Sequence, residues 1–218
     1  MKPRMPAVIV LGAGRGSRYL GGGHKLARPW SGVTVFEKTL SNALASGLRV
    51  AVVTTEPLVH LAAPHIARRD IVILPDAASG DRLGMGYSIA AGVTSSLDAP
   101  GWLILPADMP LVRAETLRRV AECLGEQPVV YPQHLGRRGH PVGFSAELIS
   151  ELTQLQGDEG ARRLVARYPS RAVDVDDPGV LVDFDTEDDF RRVEGLLPKG
   201  STAPSAGAVA GGNNVLTM

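Results

Sequence analysis

Short apolar runs alternate with amphipathic stretches along most of this chain, and that rhythm limits the fold more than any other feature. The runs at 7–11, 50–54, 71–74, 102–105 and 129–131 read as buried strands. Between the first two, Thr34 and Glu37 form a capping box, Phe36, Leu40, Ala43 and Leu44 share one face, and Gly47 ends the helix. A second helix is marked over 114–124, with Leu117, Val120, Ala121 and Leu124 inward and Gly125 behind it. Further helices are expected over 58–68, 86–96, 146–154, 159–167 and 187–196. This repetition predicts an α/β fold, a single three-layer Rossmann-like domain whose mostly parallel sheet is flanked by helices. The domain is expected over 1–197. Residues 198–218, dominated by Gly, Ala, Ser, Thr and Asn, cannot bury enough apolar surface to offset their ordering entropy, and a disordered tail is expected there.

The first strand runs into glycines and cations. Residues 1–36 hold no Asp or Glu but carry Lys2, Arg4, Arg15, Arg18, Lys25 and Arg28, and the strand stops at Gly12-Ala13-Gly14-Arg15-Gly16-Ser17-Arg18. Glycines let the backbone approach a ligand and aim N–H groups at its oxygens, while Arg and Lys add charge-assisted hydrogen bonds. Such a turn is built to hold phosphates. It nearly satisfies the dinucleotide fingerprint G-x-G-x-x-G, with Glu37 about 20 residues on. However, Ser17 replaces the third glycine and Glu37 is engaged by its capping box. No Gly-Lys-Ser/Thr of a P-loop occurs. An oxidoreductase that binds a nicotinamide or flavin dinucleotide stays open on this turn alone.

Net charge is balanced, 23 Lys+Arg against 23 Asp+Glu, which favours neither nucleic acid nor an anionic membrane as partner. The acids are unevenly placed: Asp174, Asp176, Asp177, Asp183, Asp185, Glu187, Asp188 and Asp189 crowd one segment. Some can meet the basic opening across a metal–phosphate site, while a solvated loop explains others. Cys123 is the single cysteine, so neither an intramolecular disulfide nor a cysteine metal cage is available. The first apolar run is too short for a signal peptide, and no run approaches the roughly 18–20 residues of a membrane span. A cytoplasmic location is expected.

Two carboxylates stand out. The strand at 102–105 delivers Asp108 just beyond its carboxyl end, the edge where open α/β sheets bind ligands, although Asp108 could instead cap the following helix. Strand alternation would place Asp183 and Asp185 on one face, flanking a buried Phe184. Asp185 has a rival role as cap of the helix near Glu187, which Thr186 could take instead.

These segments together resemble the NTP transferase (molybdopterin nucleotidyltransferase) family, of the nucleotide-diphospho-sugar transferase type. That family's Leu-x-Ala/Gly-Gly-x-Gly-x-Arg signature and following Lys correspond to residues 11–18 and Lys25. Gly12 stands where Ala is usual, and the spacing to Lys25 is longer. Asp108-Met109-Pro110 resembles its metal-binding Gly-Asp-Met-Pro motif with Ala107 for Gly, and residues 183–188 resemble its Asp-Ile-Asp-Thr-Pro-Glu-Asp segment with Glu187 for Pro. The resemblance implies that Leu11, Gly12, Ala13, Gly14, Arg15 and Gly16 wrap an NTP triphosphate. Arg15 and Arg18 would neutralise it, Lys25 would reach the α-phosphate, and Asp108 and Asp185 would hold Mg²⁺.

Gly84-Met85-Gly86-Tyr87-Ser88 is similar to the segment whose Gly84 and Ser88 positions face base and ribose, though its glycines also suit an ordinary turn. Arg138-Gly139-His140-Pro141-Val142 and Gly157-Asp158-Glu159-Gly160-Ala161-Arg162 look like the molybdenum cofactor cytidylyltransferase branch. On that resemblance Arg137, Arg138 and His140 would face a phosphorylated pterin, although His140 could equally be structural. The implied reaction moves CMP from CTP to molybdopterin, with a molybdoenzyme or its insertion chaperone as a further partner. Guanylyl or sugar-phosphate transfer, and a non-catalytic molybdenum cofactor carrier, remain alternatives.

Overall fold

The computed structural model describes residues 4–14, 24–75 and 84–194. Arg15, Gly16 and Arg18 of the glycine turn, and the tail expected at 198–218, lie outside the described residues.

The chain begins with β1 (Ala7–Leu11), a hairpin of β2 (Pro29–Trp30) and β3 (Val33–Thr34), and α1 (Val35–Ala45). It continues through β4 (Arg49–Thr55), α2 (Val59–Ala62), β5 (Ile71–Leu74), α3 (Gly84–Thr94), β6 (Gly101–Pro106) and α4 (Ala114–Cys123). Then follow β7 (Val129–His134), β8 (Arg137–Arg138), β9 (Val142–Ser145), α5 (Ile149–Thr153), α6 (Arg162–Arg167), β10 (Ser170–Asp174) and α7 (Glu187–Glu194). The sheet order is β10-β7-β9-β6-β1-β4-β5, with β8 added to β7. Pairs β1–β4, β1–β6, β4–β5 and β7–β10 are parallel, whereas β9 runs antiparallel to both β6 and β7. Helices cover both faces, so the expected α/β architecture with a mostly parallel sheet is the one found.

Period-two alternation divides β1 between two cores. Val8 and Val10 join Phe36, Leu40 and Leu117 on one face; Ala7 and Ile9 join Ile89, Trp102 and Phe144 on the other. The Thr34–Glu37 capping box forms as read, and Gly47 adopts φ +73° just past α1.

Three local expectations change. The helix expected over 58–68 contracts to Val59–Ala62, because Pro64 has no N–H to donate to the preceding turn. The helix expected from 159 starts at Arg162, after Gly157 and Gly160 take positive φ. Residues 182–185 belong to no sheet, and the Phe184 N–H donates to the Asp108 carbonyl (2.9 Å) rather than to a strand. Strands β9 and β10 were not anticipated. They carry too little continuous apolar sequence to announce themselves.

Candidate active site

The carboxyl ends of β1, β4 and β6 converge on one floor. Gly12 N–H donates to Val53 O (2.7 Å) and Ala107 N–H to Leu11 O (3.0 Å), extending the sheet pairing into the turns that follow β1 and β6. A Cβ on Gly12 would lie 2.6 Å from Phe36 Cε2, so the packing of α1 accounts for glycine at this position. Thr39 Oγ1 donates to Ala107 O (2.9 Å), which fixes the turn holding Asp108.

Lys25 is brought to this floor by a single 3-10 turn, Lys25–Ala27, with a histidine bracket. His24 Nδ1 accepts from Leu26 N–H (3.2 Å), and Nε2 lies 2.9 Å from Gly14 O as its donor. The glycine turn and the lysine are thereby tied together.

Lys25 Nζ donates to Asp108 Oδ2 (2.6 Å) and to Asp185 Oδ1. The side chains of Lys25 and Asp108 are only 13% and 15% exposed, so water screens the pair weakly. Burial opposes the lysine's charge, but the field and hydrogen bond of Asp108, with those of Asp185, outweigh it and raise its pKa above the ordinary value.

Aromatic packing holds Asp185 in place. Phe184 meets Trp30 and Phe190 edge-on at centroid distances of 5.4 and 4.8 Å, and the Arg28 guanidinium covers Phe190 at 3.8 Å. The rival capping roles fall to other residues. Thr186 Oγ1 accepts from Asp189 N–H (3.3 Å) at the start of α7. Asp177 takes the start of α4, accepting from Arg113 N–H (3.0 Å) and Thr116 Oγ1 (2.6 Å).

Among the described residues Asp108 Oδ1 is buried without a hydrogen-bond partner. An uncommitted carboxylate oxygen beside a second carboxylate, both already gathered around a cation, suits a hard divalent ion such as Mg²⁺ or Mn²⁺. Among the described residues no group of three or more His, Cys, Asp or Glu could hold a metal ion. The two aspartates would therefore share such an ion with water and substrate phosphate.

The cluster lies in a cavity of about 870 Å³. Leu11, Ala13 and Gly14 reach it from the glycine turn. Arg137, Arg138 and His140 line it on the β8 side. Arg138 stacks over Tyr131 at 4.0 Å, and His140 N–H donates to Val180 O (2.9 Å). Burial pushes the His140 imidazole below its ordinary pKa, against the pull of Asp108 and Asp183, and among the described residues its Nδ1 has no partner.

Gly84 and Ser88 line the cavity on the β5 side. Gly84 has φ +65°, and a Cβ there would lie 2.3 Å from Gly157 O, while the Ser88 hydroxyl donates to Gly84 O (3.2 Å). Packing thus explains this glycine without a ligand. Sequence reasoning placed neither Asp158 nor Arg162 in the site, yet both line the cavity, as does Asp183. The Gly157–Arg162 motif was the available signal. Nothing in the sequence pointed to Asp177, except that Arg113 is a poor cap for α4.

Residues 8–173 match the model of the MobA-like NTP transferase domain. The chain is 30% identical over 199 residues to purine catabolism protein PucB of Bacillus subtilis (strain 168), covering 85% of this chain and 94% of that protein. It is 25% identical over 184 residues to the molybdenum cofactor cytidylyltransferase of Escherichia coli (strain K12), covering 84% and 92%. The crystal structure of Rv0371c from Mycobacterium tuberculosis H37Rv aligns with TM-score 0.71 and 29% identity over 86% of this chain and 97% of that one. A structure of the same protein in complex with manganese aligns with TM-score 0.70 and 27% identity over 88% and 100%. No helix among the described residues is long and apolar enough to cross a membrane. With most of its length matched by the family model, the chain belongs to the MobA-like NTP transferases and is a nucleotidyltransferase.

Proposed function

We propose that this enzyme transfers CMP from CTP to the phosphate of a molybdopterin-type pterin acceptor, with release of pyrophosphate. The observation that carries the reading is the Lys25 ammonium held between Asp108 and Asp185, with Asp108 Oδ1 uncommitted. The motifs at 138–142 and 157–162 and the Escherichia coli relative support cytidylyl transfer to that acceptor.

The acceptor's phosphate oxygen attacks the α-phosphorus in line. A new P–O bond forms as the bond to the bridging oxygen breaks, and pyrophosphate leaves with the electron pair. A phosphate monoester is already ionised near neutral pH, so no general base is required. Lys25 keeps its proton and meets the charge that builds on the α-phosphoryl oxygens. The Gly12 N–H is taken by Val53 O, so the amides of Ala13 and Gly14, with Arg15 and Arg18, cradle the triphosphate. Arg137 and Arg138 engage the acceptor phosphate, and His140 lines the same wall beside them. Asp108 and Asp185 would hold Mg²⁺, which would neutralise phosphate charge when bound.

The test is pyrophosphate release from CTP, GTP, ATP and UTP with Mg²⁺ and purified molybdopterin. Release with CTP alone, or best with CTP, is expected. Preference for GTP would make this a guanylyl transferase, and turnover only with sugar phosphates would replace the acceptor. Tight pterin binding without release would mark a carrier, and a nicotinamide- or flavin-dependent optical change would mark an oxidoreductase.

A further inference from the structure

Asp158, on the turn before α6, and Arg162, the first residue of that helix, stand four residues apart; both are exposed and both line the cavity. Their immediate neighbours show what this spacing allows: Arg163 Nε lies 2.5 Å from Glu159 Oε2 in an exposed pair. Asp158 and Arg162 form no such pair. Among the described residues neither side chain has a hydrogen-bond or ion-pair partner. A carboxylate and a guanidinium left uncommitted on one cavity wall suit no simple ion. The carboxylate would repel a phosphate, and the guanidinium would repel a cation. They suit an uncharged heterocycle whose edge offers a donor beside acceptors.

Backbone contacts fix where this pair sits. Gly86 N–H donates to Gly157 O (2.8 Å), and a Cβ on Gly84 would lie 2.8 Å from Asp158 N. Asp158 is therefore seated against the start of α3, on the β5 side of the floor. Arg137 and Arg138 belong to β8, at the other side of the sheet order, and Asp108 follows β6 between them. With the acceptor phosphate on the arginine side, the nucleoside falls to the β5 side.

We propose that Asp158 and Arg162 read the base of the nucleotide and select the 4-amino-2-oxopyrimidine edge of cytosine; this rests on the nucleotidyl transfer reading above. The Asp158 carboxylate accepts from the exocyclic amine, and the Arg162 guanidinium donates to the ring nitrogen and the 2-carbonyl. Uracil presents a carbonyl to the carboxylate and an N–H to the guanidinium, so both contacts turn repulsive. Guanine presents its carbonyl and its donors in the reverse order.

The test compares wild type, Asp158→Asn, Arg162→Gln and Arg163→Ala with the four nucleotides, by steady-state pyrophosphate release and by equilibrium dialysis. Asparagine adds an N–H that suits the uracil 4-carbonyl. Asp158→Asn should therefore lower the CTP:UTP ratio of kcat/KM by about tenfold or more, chiefly through KM. Arg162→Gln should weaken CTP binding, and Arg163→Ala should leave the ranking as in wild type. An unchanged ranking in Asp158→Asn, or a change confined to the acceptor's KM, overturns the inference while nucleotidyl transfer stands. If wild type transfers nothing but Asp158→Asn still loses its preference for CTP in dialysis, the reaction fails and the base-reading pair survives.

Discussion

Two carboxylates on the same edge of the sheet are treated in opposite ways. Asp177, 2% exposed, has both oxygens engaged: Oδ2 accepts from Arg113 N–H and Thr116 Oγ1, and Oδ1 accepts from Gly179 N–H (3.1 Å). Asp108 has Oδ2 on Lys25 and leaves Oδ1 buried without a partner among the described residues. Folded chains satisfy nearly all their buried polar atoms, because an orphaned acceptor loses its hydration and gains nothing in return. Asp177 follows that rule and holds the fold together. Asp108 departs from it at the one place where a ligand is expected, and the departure separates a functional carboxylate from a structural one.

The comparison breaks most sharply under Asp108→Asn. Removing the charge should cost about a thousandfold or more in kcat while the chain still folds, with a lowered thermal midpoint because Lys25 loses one of its two partners. Steady-state kinetics beside calorimetry checks both halves, and unchanged turnover would remove Asp108 from the chemistry. Asp177→Ala should do the reverse. Three donors lose their acceptor, so stability should fall by about 2–4 kcal/mol in denaturant titrations. Mn²⁺ bound per folded molecule, followed by electron paramagnetic resonance, should persist. Loss of metal binding at intact stability would show that the two carboxylates are not separate in role.

The smallest effect concerns His140, whose partnerless Nδ1 resembles the Asp108 oxygen. Its pKa lies below the ordinary 6.5 because burial disfavours the charge. As pH falls below about 6.5 the unfolded chain takes up this proton before the folded one does. Stability is therefore fully present above that pH and declines below it, at no more than about 1.4 kcal/mol per pH unit for one proton. Denaturant midpoints measured across this range should flatten in His140→Asn. An equal slope in the variant would assign the decline to other groups.

Much of the architecture could be read along the chain. The five apolar runs are all strands of the sheet, and the Thr34–Glu37 box caps α1 as its spacing demands. The short antiparallel pieces could not be read, since β8 and β9 together hold six residues whose pairing depends on partners elsewhere. Within the site, Asp108 was marked by its place just past a strand and Lys25 and Asp185 by the family resemblance, and the structure brings all three together. Asp158, Arg162 and Asp177 were not marked. Each is an ordinary charged residue in a polar turn until the rest of the chain is laid against it.

The sequence by itself determined which segments become strands and helices, because periodicity, capping boxes and glycine stops act over a few neighbouring residues. Only the tertiary structure decided which acids cap helices and which face the cavity. Arg113 meets its cap 64 residues away, and Lys25 meets its two partners at separations of 83 and 160 residues. The eight acids at 174–189 are chemically alike. What distinguishes them is the set of donors each meets once the sheet has closed around them, and no local pattern encodes that meeting.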